Sequence, residues 1–115
     1  MIKLYGVPNC QQIRKTKGLF EEHNIEYEFV HVKKTPVSAD FLREVVKQLR
    51  LGTVLNNKGM TYRKLGLKDM NLSDEELFEW LVKEQAMIKR PLIEKNNRFW
   101  VGFDEKEILE FLLKN

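Results

Sequence analysis

Apolar and polar positions along the chain change their period several times, and each change marks an element. Ile2 to Tyr5 is a short apolar run that ends at the turn signal Gly6-Val7-Pro8-Asn9, which predicts a strand followed by a turn. A helix is expected from near Cys10. Ile13, Leu19 and Phe20 recur at loose helical spacing, Thr16 fills the gap, and Asn24 supplies a C-terminal stop. Tyr27, Phe29 and His31 alternate with Glu28, Val30 and Val32, the period of a strand, and Pro36 closes it. Ser38 can cap the next helix, whose apolar face is Phe41, Leu42, Val45, Val46 and Leu49, with Gly52 as its stop. Strand, helix, strand and helix in that order predict a parallel first pair, because helical crossovers of this length normally join parallel strands.

The middle of the chain reads differently. Asn56-Asn57-Lys58-Gly59 is a turn, followed by a short helical piece around Tyr62 to Leu65. Ser73-Asp74-Glu75-Glu76 has the spacing of a capping box and opens a helix with Leu77, Phe78, Leu81 and Val82 on one face. No strand pattern occurs from about residue 33 to 90, so the stretch at about 38–89 is expected to be a helical insertion. Strands return at Leu92-Ile93-Glu94 and at Phe99 to Phe103, joined by the hairpin signal Asn96-Asn97. Asp104 to Glu107 then cap a terminal helix carrying Ile108, Leu109, Phe111, Leu112 and Leu113. No repeat or linker interrupts the pattern, and 115 residues fit one domain spanning 1–115.

Composition narrows the class. No apolar run approaches the ~18 residues of a membrane span, and the N-terminus has no apolar core of a secretory leader. The single cysteine, Cys10, excludes an internal disulfide and a Cys-rich zinc site, and a chain of this size without disulfides fits a reducing, cytoplasmic setting. The net charge of +3 is mild, and the whole excess falls in residues 1–50, with Arg14, Lys15 and Lys17 close behind Cys10. That distribution points to a small anion near the cysteine more than to a nucleic-acid groove, so neither direct nucleic-acid binding nor membrane binding is expected.

Cys10 is the residue on which chemistry converges. It follows a strand and a Pro-Asn turn and falls in the first turn of a helix. The unpaired N–H groups and the positive dipole end there stabilise an anion and so favour the reactive thiolate. Arg14, four residues on, can share its face. The plain alternative is a buried structural cysteine, which the polar neighbours Asn9, Gln11 and Gln12 argue against. His23 lies 13 residues along the same helix, roughly 20 Å away at the helical rise, and His31 is expected to pack on a strand face. Neither is expected to act as a base, and no metal-ligand spacing occurs. Arg90-Pro91 is a second candidate: a guanidinium at a hairpin entrance suits an anionic group bound beside the thiol, although the residues alone favour an ordinary turn with a solvent-facing arginine.

Several segments taken together resemble one known family. Leu4-Tyr5-Gly6-Val7-Pro8-Asn9-Cys10, then Lys15 and Lys17, then Leu55 to Gly59 with Arg63-Lys64-Leu65, and finally Ile88-Lys89-Arg90-Pro91-Leu92 through Val101-Gly102-Phe103 are similar, in order and over essentially the whole chain, to the arsenate reductase (ArsC)-like family. The YffB-type branch, thought to be glutathione-dependent thiol reductases, is the closest in pattern, and the Spx-type regulators are a sister branch. The resemblance implies a thioredoxin-like α/β fold with a four-stranded mixed sheet, a redox role for Cys10 and a cis peptide before Pro91. It also implies an arginine trio in arsenate reductases, of which this chain keeps only Arg90. Asn56 and Gly102 stand at the other two positions, and neither replaces a bidentate guanidinium. The Cys-x-x-Cys switch that is common in Spx-type proteins is absent, because Ile13 occupies its second position.

These observations predict a thiol–disulfide oxidoreductase with Cys10 as nucleophile and Asn9, Arg14, Lys15, Arg90 and Pro91 lining the substrate site. No cofactor is expected to be bound, and glutathione or another small thiol is the expected co-substrate. A disulfide-containing protein is a further expected substrate. The alternative is an Spx-like adaptor that binds RNA polymerase without catalysis, with arsenate reduction a third reading.

Overall fold

The computed structural model describes residues 1–114. Its centre is a four-stranded mixed sheet in the order β2-β1-β3-β4, made of β1 (Ile2–Gly6), β2 (Tyr27–His31), β3 (Leu92–Lys95) and β4 (Arg98–Val101). β1 and β2 run parallel, with Ile2 opposite Tyr27 and Gly6 opposite His31. β3 is antiparallel to β1, and β4 to β3. This is the thioredoxin-like sheet that the family resemblance implies. The crossover between β1 and β2 is α1 (Gln11–Glu22), as the strand–helix–strand order requires.

Alternation along the strands divides the core between the two faces. Leu4 and Ile93 turn to one face, where they pack with Ile13, Leu19 and Phe20 of α1 and with Ile108, Phe111 and Leu112 of α6 (Glu105–Leu113). Tyr5, Leu92, Phe99 and Val101 turn to the other, which is covered by the helices between β2 and β3: α2 (Ala39–Leu49), α3 (Leu51–Val54), α4 (Met60–Lys64) and α5 (Asp74–Lys83), with single 3₁₀ turns at Leu67–Met70 and Gln85–Met87. No helix of the described residues is long and apolar enough to cross a membrane.

Local signals set most of the element ends. The Ser38 hydroxyl accepts from Phe41 N–H at the start of α2. Ser73 and Glu76 form the expected reciprocal capping box on α5, and Asp104 accepts from Glu107 N–H on α6. Asn96 and Asn97 both take positive φ, as a two-residue hairpin turn of this kind demands. Asn24 likewise ends the α1 region at φ 54°.

Two expected ends move. Gly52 does not stop α2. The break falls at Arg50, whose φ of 74° bends the chain, and Gly52 then lies inside α3. The bend turns Val54 and Leu55 into the core, where Leu55 bridges Ile88. The last strand stops at Val101 rather than Phe103. Gly102 takes φ 96°, donates its N–H to the Pro91 carbonyl at 3.0 Å and accepts the Trp100 indole N–H at 2.8 Å. The bond to Pro91 still follows the β3–β4 register, but proline has no N–H to return one, so the ladder ends there and the positive φ of Gly102 turns the chain toward α6.

Candidate functional site

Cys10 lies at the junction where β1 hands over to α1. Gly6 closes the strand, Val7 to Asn9 make the turn, and Cys10 is the N-cap residue of α1, with extended backbone (φ −129°, ψ 130°). Its carbonyl accepts from Arg14 N–H at 3.0 Å, but its side chain makes no capping bond. The first N–H groups of a helix lack intrahelical acceptors, and the N-cap side chain is the one placed to meet them. Cys10 is half-buried against the α1/α6 layer.

Gly6 makes this junction tight. A Cβ built on it would lie 2.4 Å from Ile13 Cδ1 and 3.7 Å from Arg90 Cγ. The bare backbone therefore lets the first turn of α1 and the stem of Arg90 close in on the end of β1 together. The Arg90–Pro91 peptide is cis, as the family resemblance implies. The main chain on either side of Arg90 is anchored: Lys89 N–H donates to the Val54 carbonyl at 2.7 Å, and the Pro91 carbonyl accepts from Gly102. No main-chain hydrogen bond of Arg90 itself occurs among the described residues.

A cleft of about 420 Å³ opens beside this junction, lined by Val7, Asn9, His31, Lys33, Ala86 and Arg90. Of the residues expected at the site, the fold thus brings Asn9 and Arg90 to one cleft, whose lining stops at Asn9, one residue before Cys10, with Pro91 buried behind Arg90. Arg14 and Lys15 do not line it. Arg14 is exposed on α1, and the Lys15 ammonium lies 5.8 Å from the centre of the Phe103 ring on the α1/α6 side. Lys17, the third cation behind Cys10, lies 4.0 Å above the Phe29 ring. The first-helix cations therefore do not form one cluster around the sulfur.

Four lining residues were not named as site residues from the sequence: Val7, which lies in the turn before Cys10, and His31, Lys33 and Ala86. His31 ends β2 opposite Gly6, and its Nδ1 accepts from Lys33 N–H at 3.3 Å. One signal for it exists, since crevices in sheets with parallel strands form beyond their carboxyl ends. Ala86 comes from a 3₁₀ turn that no periodicity announces.

Asn56 and Gly102 occupy the places where the family resemblance implies arginines. Asn56 lines a smaller cavity of about 70 Å³ that Arg90 also borders. Its side-chain oxygen accepts from Lys58 N–H at 3.2 Å, so the amide serves its own turn. Gly102 contributes backbone alone. Among the described residues one group of metal-ligating type comes together, Glu22, His23 and Glu105. It is exposed and lies at the other end of α1 from Cys10.

The comparisons with known proteins agree with this geometry. The ArsC family profile matches residues 5–111. The chain is 32% identical over 114 residues to the global transcriptional regulator Spx of Listeria innocua, covering 97% of this chain and 87% of that protein. Among solved structures, a YffB protein superposes with a TM-score of 0.88 at 30% identity, covering 96% of this chain and 97% of that one. A possible arsenate reductase from Streptococcus mutans superposes with a TM-score of 0.81 at 32% identity, covering 96% and 98%. With the profile running from β1 into the terminal helix, a lone cysteine at the β1–α1 junction and a cis-proline before β3, the chain belongs to the ArsC family.

Proposed function

We propose that this protein is a thiol–disulfide oxidoreductase with Cys10 as its nucleophile and glutathione as its external thiol. The observation that carries this reading is the placement of Cys10: an N-cap residue whose side chain is not spent on capping, next in the chain to Asn9, which lines a cleft together with Arg90. The Cys10 thiolate attacks one sulfur of a disulfide. The Cys10–sulfur bond forms as the sulfur–sulfur bond breaks, and the departing thiolate takes a proton from water. Because the chain has no second cysteine, a small external thiol must attack the mixed disulfide, release Cys10 and supply the electrons. Glutathione is anionic, and Arg90 meets it with the favourable sign. The unpaired N–H and C=O of Arg90 offer its main chain a pair of hydrogen bonds.

Family membership and the likeness to a YffB structure support this reading. The likeness to an arsenate reductase does not extend to the oxyanion grip. Arg90 stands alone where the family resemblance implies three guanidinium groups, and the Asn56 amide is engaged in its turn. A second reading has its own support in the 32% identity to a transcriptional regulator: an Spx-like adaptor that binds RNA polymerase without catalysis. Its Cys10 would have no need of a small thiol.

The two readings separate in one experiment. After incubation with oxidised glutathione, intact mass should show a monomer carrying one glutathione, removed by reductant and absent in Cys10→Ser. A non-reducing gel should show little covalent dimer, because joining two copies through Cys10 brings two basic first helices together. Arg90→Ala should slow adduct formation about fivefold, the scale of one exposed charge contact. A predominant dimer, or no adduct under conditions that modify a free cysteine peptide, would move the assignment to the adaptor.

A further inference from the structure

The cleft beside Asn9 and Arg90 abuts a second cavity at Lys33 and Ala86. This cavity, of about 310 Å³, extends along Val32, Pro36, Val82 and Lys83. One wall of this extension is held firmly. Gln85 is buried, accepts Val37 N–H at 2.8 Å, and donates to the Val37 and Val82 carbonyls at 2.7 and 3.1 Å. These bonds tie the end of α5 to the chain leaving β2, so both sides of the groove stay in register.

The first cavity alone falls within the range of roughly 300–1,000 Å³ that small-ligand sites occupy. A tripeptide thiol does not need the second. An extended peptide does, since each residue advances the chain by about 3.4 Å. Charge points the same way. The groove is bordered by Arg90, Lys33 and Lys83 against one carboxylate, Glu84. Lys33 and Lys83 are exposed and have no carboxylate partner, since the ion pair among the described residues is Arg43–Glu75 on α2 and α5. The Lys83 ammonium lies 5.0 Å from the centre of the Trp80 ring, still at the rim.

Given the thiol–disulfide chemistry proposed for Cys10, on which this extension rests, we infer that the groove from Arg90 past Ala86 to Lys83 takes a disulfide set in an acidic peptide segment, its carboxylates lying along Lys33 and Lys83. Cys10 attacks one sulfur of that disulfide, and the other leaves as a thiolate that water protonates. One glutathione then attacks the Cys10 sulfur and frees the peptide half as a thiol, and a second attacks the Cys10–glutathione disulfide, restoring the Cys10 thiolate and leaving oxidised glutathione. The substrate class is thus a protein or peptide disulfide with acidic flanks, with glutathione as the reductant.

The test uses three probes on the reduced full chain, followed by intact mass: oxidised glutathione, a symmetric peptide disulfide with two Asp residues flanking the half-cystine, and the same peptide with Lys in place of Asp. Wild type should form the Asp-peptide adduct about fivefold faster than the Lys-peptide adduct, the scale of an exposed charge contact, and 0.5 M salt should shrink that ratio. Lys83→Glu should bring the ratio to about one or invert it. The ratio compares two substrates on one protein, so a general loss of fold does not imitate this result. Equal rates for the two peptides on wild type, or a ratio unchanged in both Lys83→Glu and Lys33→Glu, would overturn the acidic-peptide assignment while adduct formation with oxidised glutathione left the enzyme reading intact. Failure of Cys10 to react with all three probes would overturn both.

Discussion

The two layers that sandwich the sheet are built differently and contribute differently to the site. The α1/α6 layer is two regular helices packed on Leu4 and Ile93, and it presents Cys10 from a helix end. The opposite layer is assembled from four helices and two 3₁₀ turns, stitched by bonds such as Gln85 to Val37 and Lys89 to Val54. From its edge come Ala86, Lys83 and the Arg90 segment, which line the two cavities. The regular layer fixes where the sulfur is, and under the proposed function the irregular one would decide what reaches it. Short turns there can vary without moving the helix that carries Cys10.

Four substitutions probe this division, beginning with the largest effect. Phe20 is fully buried in the α1/α6 layer and meets the Tyr27 ring edge-on at 5.0 Å. Phe20→Ala should cost about 3–5 kcal/mol in denaturant unfolding, and the surviving folded protein should lose its preference for glutathione adduct over dimer as α1 loosens. A loss under about 1 kcal/mol would show that the layer re-packs around the cavity.

Gln85→Ala strikes the other layer. It leaves Val37 N–H and two carbonyls without their partners and should cost about 1–3 kcal/mol. Cys10 should still form its glutathione adduct in the folded protein. If adduct formation falls as steeply as it does with Phe20→Ala, the two layers are not separable in function.

A pH dependence crosses the sheet between them. Tyr5 is buried and donates to Glu94 at 2.5 Å; burial first, then that bond and the charges of Glu94 and Glu28, hold its hydroxyl well above the ordinary tyrosine range. The folded state keeps this proton where the unfolded chain has lost it. Stability should therefore fall as pH rises above about 10, the unfolded value. Tyr5→Phe should flatten the fall but not abolish it. Tyr27, raised mainly by burial and then by Glu21, keeps a share of the slope. Equal slopes between pH 9.5 and 11 in urea titrations of both proteins would show that the Tyr5 proton plays no part.

Ser73→Ala should give the smallest loss, about 1 kcal/mol, by opening the capping box of α5. Glu76 is held below the ordinary carboxylate range by its bonds to Ser73, the backbone N–H first. Its contribution is present above about pH 4.5 and is lost as pH falls, so the difference between wild type and Ser73→Ala should narrow in acid. A constant difference down to pH 3 would assign the effect to helix propensity alone.

Much of this protein was legible from local chemistry. A short apolar run marked the first strand and period-two alternation the second, Ser38, Ser73 and Asp104 marked helix starts, and Asn96-Asn97 marked the hairpin, because each acts over a few bonds and needs no distant partner. Cys10 was legible for the same reason: a strand, a turn and a helix start place it at an N-terminus wherever the rest of the chain goes. Other features depend on packing between distant segments. Arg50 rather than Gly52 broke the second helix because Val54 and Leu55 had to reach the core. Spacing alone put Arg14 and Lys15 near Cys10, yet neither lines the cleft, because their positions on α1 are set by which side of that helix packs on the sheet. His31, Lys33, Ala86 and Arg90 lie up to 59 residues apart in the chain and meet only because β1 pairs with β2 on one side and with β3 on the other. Local sequence determined the elements and the place of Cys10 at the start of α1. The tertiary structure decided its neighbours, because which segments meet depends on burying two apolar sheet faces at once.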